Sequence, residues 1–186
     1  MFNKKIIAAA VALSALLTGT TANAQMYAGA TVGQARWNMD CAGTSNCKTN
    51  DTSFNILGGY NLNTNWGVEA SYYNLGTVKA TVYGVAAEMK ATGVDLSGVY
   101  RTQFNSNWGM FTKLGLAYSK AEATAALGNV RASTNKNSAQ LVASVGATYS
   151  FTPNLAARAE ISSRKVEFVG GDGNITNFNI GLQAAF

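Results

Sequence analysis

From residue 26 onward the sequence alternates bulky apolar residues with small or polar ones, the mark of extended chain whose two faces meet different surroundings. The last segment, ITNFNIGLQAAF, puts Phe178, Ile180, Leu182, Ala184 and Phe186 on one face and Asn177, Asn179, Gly181, Gln183 and Ala185 on the other. The same parity separates Met26, Ala28, Ala30 and Val32 from Tyr27, Gly29, Thr31 and Gly33. It also separates Trp66, Val68, Ala70 and Tyr72 from Gly67, Glu69, Ser71 and Tyr73. Counted this way, the pattern predicts eight strands, at residues 26–33, 53–62, 66–73, 93–100, 108–119, 140–151, 155–162 and 177–186.

Their connections alternate between tight and loose. The phrase NTNWG at 63–67 returns as NSNWG at 105–109 and, more loosely, as TPNLA at 152–156. Each is rich in turn-forming residues and joins two predicted strands as a short hairpin. The other connections, near 38–51, 76–90, 120–136 and 164–174, are long and polar. Three short turns on one rim and four long loops on the other imply an up-and-down order with both ends of the sheet at the short-turn rim.

The apolar face carries no formal charge, whereas the opposite face carries Glu69, Asp95, Lys113, Arg158 and Glu160 among glycines, serines and asparagines. Buried charges need partners, and this face supplies both signs. Turning it inward and the apolar face toward lipid satisfies both sets of residues. Trp66 and Trp108 follow their turns immediately and share a height with Tyr60, Tyr100, Tyr149, Phe151 and Phe186, as an aromatic girdle at a membrane interface does. Lipid offers no hydrogen bonds to an open edge, so the first strand must meet the eighth. The expected fold is all-β: an eight-stranded antiparallel up-and-down transmembrane β-barrel. Inward glycines at 29, 33, 59, 67, 93, 109, 115, 146 and 181 are expected to make room for the longer charged side chains.

The ends and composition place this barrel in a compartment. Lys4 and Lys5, the apolar run Ile6–Leu17 and Ala22-Asn23-Ala24 have the order of a cleaved export signal, leaving residues 25–186 as the barrel domain. Loss of the two lysines lowers the formal charge from +5 to +3, without a basic cluster, which argues against a nucleic-acid partner. Export exposes Cys41 and Cys47 to an oxidising compartment, where the expected outcome is a disulfide stapling the first loop. A zinc site is not expected, because the chain has no histidine.

The stretches YAGATVG, GGYNLNTNWGVEASYYNLG, ATGVDLSGVYR, FTKLGLAY and FTPNLAARAEI resemble the transmembrane domain of the outer membrane protein A family, over essentially the whole chain after the signal. The resemblance places the family's lumenal Glu/Arg pair on Glu69 and Arg158, a lumenal base on Lys113 and a lumenal acid on Glu160. A second Lys/Glu pair of the family falls on Val99 and Thr148, so both partners are missing together. The family's periplasmic domain has no counterpart in this sequence. Phe178, Ile180, Leu182 and the terminal Phe186 are similar to the signal by which outer membrane assembly machinery recognises its clients, and also suit a last lipid-facing strand.

Some barrels of this size modify lipid A, but their histidine and serine chemistry is unavailable here, and no nucleotide or nucleophile-elbow motif is present. No cofactor is expected. Two non-enzymatic readings stand. One is a structural and surface-interaction barrel of the Gram-negative outer membrane that displays four loops. The other is a narrow ion pore through a polar lumen. The sequence favours the first, because Glu69, Arg158, Lys113, Glu160 and Phe111 would crowd a small interior. The partners expected are outer membrane lipids and lipopolysaccharide, the assembly machinery and periplasmic chaperones during biogenesis, and an unidentified extracellular ligand at the loops.

Overall fold

The computed structural model describes residues 25–38, 45–82, 85–127, 130–168 and 171–186. They form β1 (Met26–Asn38), β2 (Ser45–Lys48), β3 (Asn50–Asn61), β4 (Trp66–Val82), β5 (Val85–Gln103), β6 (Trp108–Leu127), β7 (Val130–Thr152), β8 (Leu155–Phe168) and β9 (Gly171–Ala185). All pairings are antiparallel: around the wall β1 pairs with β3, β3 with β4 and each later strand with the next, and β1 closes on β9 from Tyr27↔Ala185 to Asn38↔Asn174. Eight strands therefore form a closed barrel. Among the described residues the short β2 lies outside that circuit and pairs with the upper end of β4.

Parity assigns the two faces as the alternation requires. Leu114, Leu116, Ile180 and Leu182 stand more than half exposed on the outer wall, while Glu69, Arg158, Asn177 and Asn179 are buried inside. Trp66 packs edge-on against Tyr100 at 4.9 Å, Trp108 against Tyr149 at 5.0 Å, and Tyr149 against Phe151 at 5.3 Å, on the outer wall above the short turns. Phe186 exchanges backbone hydrogen bonds with Met26 at the same rim.

The repeated phrase is a repeated device. In the first turn Asn63 Oδ1 accepts from the Asn65 and Trp66 N–H groups at 2.9 and 2.8 Å. In the second, Asn105 Oδ1 accepts from Asn107 and Trp108 at 2.9 and 2.8 Å. In the third, Thr152 Oγ1 accepts from Asn154 and Leu155 at 3.3 and 3.0 Å. The last asparagine of each phrase then laces its turn to the strand beyond. Asn65 Nδ2 donates to the Arg101 carbonyl at 3.0 Å, Asn107 Nδ2 to Ser150 at 2.9 Å, and Asn154 Nδ2 to Ala185 at 2.9 Å. The rim is thus tied turn to strand by side chains as well as by its ladders.

The opposite rim differs from expectation. Segments predicted as long loops are mostly strand: β4 and β5 pair up to Val82↔Val85, β6 and β7 up to Leu127↔Val130, and β8 and β9 up to Phe168↔Gly171. Once two strands are paired inside the membrane the ladder continues outward, and only the need for bulky apolar residues stops at the lipid boundary. Cross-strand charge replaces it, as where Lys79 faces Glu88 at 2.6 Å. Between Asn74 and Thr77 the β4–β5 register shifts. There Gly76 takes φ 74°, a left-handed conformation that suits glycine. Above this bulge β4 exchanges β3 for β2 as its neighbour.

Candidate functional site: the lumen

Strands β4, β6 and β8 bring four charged side chains to one level of the lumen. Arg158 Nη1 lies 2.8 Å from Glu69 Oε2, and its Nη2 lies 2.8 Å from Glu160 Oε2. Lys113 Nζ lies 2.8 Å from Glu69 Oε1 and 2.6 Å from Glu160 Oε1. Each acid therefore touches both bases, and the layer is neutral. Tyr27 adds a further donor, its hydroxyl 2.8 Å from Glu69 Oε2. All four charged groups are buried, so each depends on the others for the solvation that water would otherwise supply.

Asp95 does not join this layer. It faces Arg164 Nη2 at 3.8 Å, one level further from the short-turn rim, where the Tyr73 and Ser119 hydroxyls lie 2.6 Å apart. Lumenal Arg101 lies on the other side, toward the short turns, and its Nη1 donates to Asn61 Oδ1. Neither Arg101 nor Arg164 was expected from the sequence. Both continue the inward parity of their strands beyond the residues at which bulky outward partners end, and extending the count by one period finds them.

The three lumenal arginines share one construction. Arg101 Cζ stands 4.4 Å over the Tyr27 ring, Arg158 Cζ 4.1 Å over Phe111, and Arg164 Cζ 3.9 Å over Tyr73. Behind each ring is a glycine: a Cβ on Gly59 would collide with Tyr27, one on Gly146 with Phe111, and one on Gly93 with Tyr73. These glycines make room for aromatic rings, and the rings carry the guanidinium groups. The expectation that inward glycines serve the charged chains directly is corrected to that extent.

The interior is also less uniformly polar than expected. Toward the outer end, Trp37, Leu75, Val78, Ala91, Val142 and Ile175 are buried together in an apolar cluster, with the Trp37 indole N–H donating to the Leu75 carbonyl at 3.4 Å. Val99 is fully buried on the inner face. The lumen is thus filled in successive layers: a polar mouth at the short turns, the four-charge layer, the Asp95–Arg164 layer and an apolar cap.

Cys47 lies in β2, while Cys41 lies outside the described residues, as do residues 1–24. Phe178, Ile180 and Leu182 face outward on β9. Among the described residues, no three His, Cys, Asp or Glu side chains gather as a metal site.

Comparison with solved structures places this chain beside small barrels. It is similar to Neisserial surface protein A, with a TM-score of 0.64 at 18% identity over 90% of this chain and 100% of that one. It is similar to Ail, the attachment invasion locus protein of Yersinia pestis, with a TM-score of 0.58 at 19% identity over 87% and 99%. It is also similar to the outer membrane protein OprG of Pseudomonas aeruginosa, with a TM-score of 0.56 at 15% identity over 87% and 96%. These likenesses establish the fold. A comparison with curated proteins finds no match. Residues 21–177 match the family described as the OmpA-like transmembrane domain. With that match over most of its length and a closed barrel of eight strands beneath it, the chain belongs to the OmpA-like transmembrane domain family and is a β-barrel of the outer membrane.

Proposed function

We propose that this protein is a structural and surface-interaction barrel, which stiffens the outer membrane and presents a β-sheet platform outside it, without enzymatic activity. The observation that carries the reading is the height of the sheet. Beyond Tyr118, the outermost bulky aromatic on β6, the strand runs from Lys120 to Leu127, roughly 25 Å along its length. Over this span β6 stays paired with both β5 and β7, whereas among the described residues the β7–β8 ladder begins at Val142↔Arg164. The upper part of β7 is therefore the margin of a protruding sheet, a geometry that accepts an extended segment of another protein by strand addition.

Two neighbours of this fold carry names of surface proteins, Neisserial surface protein A and the attachment invasion locus protein, which agrees with this reading. Lipid and lipopolysaccharide contact the outer wall. The export signal is removed after Ala24, the assembly machinery and periplasmic chaperones engage β9 and the Phe186 that follows it, and a Cys41–Cys47 bridge fastens the first loop. The pore reading is less favoured, because the four-charge layer and the apolar cap lie in series along the lumen.

Planar-bilayer recording of the purified protein tests the choice, together with adherence of cells whose β6–β7 hairpin is shortened by replacing residues 122–135 with a tight turn. The expected results are electrical silence and reduced adherence at unchanged barrel folding. Reproducible conductance that changes on Arg158→Ala would replace this reading with the pore.

A further inference from the structure

We infer that the mouth of the lumen at the short-turn rim is an oxyanion-binding site built around Arg101, of a size and donor set that takes a phosphate group. A cavity of about 510 Å³ opens there, with Asn61, Arg101, Gln103, Thr148, Ser150 and Gln183 among its lining residues. None of its lining residues is Asp, Glu or Lys.

Arg101 differs from the other lumenal arginines. Arg158 has two carboxylates within 2.8 Å and Arg164 has one at 3.8 Å. Among the described residues Arg101 has no carboxylate in ion-pair range, and its buried Nη2 has no acceptor. A buried guanidinium N–H without an acceptor is costly, and a planar fork of such donors matches phosphate geometry. The group is also held in place. Its backbone N–H donates to the Asn65 carbonyl at 2.7 Å, its carbonyl accepts from Asn65 Nδ2 at 3.0 Å, and its guanidinium rests on Tyr27.

The surroundings supply neutral donors. Gln183 Oε1 accepts from Arg158 at 3.0 Å, which leaves the amide NH₂ of Gln183 as a donor at the cavity wall. The Thr148 and Ser150 hydroxyls line the same space. Thr148 gives the cavity an uncharged wall beside the cation. The site faces the periplasmic side, and its phosphate comes either from solution or from a lipid headgroup of the inner leaflet.

The test uses the full barrel refolded in an uncharged detergent with ¹⁵N-labelled arginine. Orthophosphate is titrated against chloride at matched ionic strength, and in a second arm phosphatidylglycerol is doped into phosphate-free micelles. The expected result is a saturable shift of the Arg101 side-chain resonance in at least one arm, and the responding arm identifies the source. By calorimetry, Arg101→Gln should weaken that binding roughly tenfold or more. Thr148→Val should weaken it to a smaller degree and serves if the arginine variant does not fold. No saturable response beyond that of chloride in either arm, or affinity unchanged in both variants, overturns the proposal.

Discussion

Glu69→Ala is expected to lower the stability of the barrel by about 3–5 kcal/mol, the cost of leaving a buried charge without its partner. The carboxylate accepts from Lys113 at 2.8 Å, from Arg158 Nη1 and Nη2 at 2.8 and 3.1 Å, and from Tyr27 at 2.8 Å. Without it, two buried cations share Glu160 alone, and the layer carries a net positive charge. Removing Arg158 as well restores neutrality, because Lys113 and Glu160 remain paired at 2.6 Å. The double variant Glu69→Ala/Arg158→Ala should therefore lose less than the sum of the two single variants. Reversible urea unfolding in lipid vesicles, followed by tryptophan fluorescence, measures all three. Additive losses would mean that the layer does not act as a unit.

Leu114→Arg is the second large effect, expected at about 2–4 kcal/mol for a cation placed on the lipid face near the middle of the bilayer. Leu114 is 65% exposed on the outer wall, between Trp108 near the short-turn rim and Tyr118 at the outer end of the apolar band. Its main-chain partners are Gly98 and Ala143, so there is little side-chain bulk beside it to shield the new charge. A polar exchange at Ser71, which points into the lumen beside Asp95, should cost much less. Equal losses at the two positions in the same unfolding assay would contradict the facing assigned to β4 and β6.

The membrane-spanning part of the fold was legible because two solvents select opposite faces residue by residue. Lipid demands Leu116 and Ile180 outside and the narrow lumen demands Glu69 and Asn179 inside, so the alternation is clean wherever both demands act. Above the bilayer only the pairing remains. KAEATAAL at 120–127 is strand without a bulky outward stripe, and a pattern of apolar residues does not distinguish it from loop. The apolar cap escaped notice for a related reason. Trp37 and Leu75 share the inward parity of Tyr27 and Tyr73, but they lie just beyond the residues where the outward face stops alternating.

The charged layer was partly legible. Residue parity places Glu69, Lys113, Arg158 and Glu160 on the inner face, but height along the barrel depends on strand stagger, which parity does not carry. That stagger separates Asp95 from the other four and pairs it with Arg164. Gly59 lies directly across from Tyr27 in the β1–β3 ladder, but Arg101 reaches the same ring from β5, which does not pair with β1, so strand-by-strand parity does not reveal the link.

The account rests on which surface meets lipid, and the chain carries three tryptophans that report on it. Trp66 and Trp108 stand 54% and 51% exposed on the outer wall, whereas Trp37 is 1% exposed inside the lumen. Single-tryptophan variants, made by changing the other two to phenylalanine, can be refolded into vesicles of brominated phospholipid. Bromines near the headgroup end of the acyl chain should quench Trp66 and Trp108 strongly, and bromines at any depth should leave Trp37 bright. Quenching of Trp37 by lipid, with Trp66 and Trp108 protected, would contradict the orientation from which the rest follows.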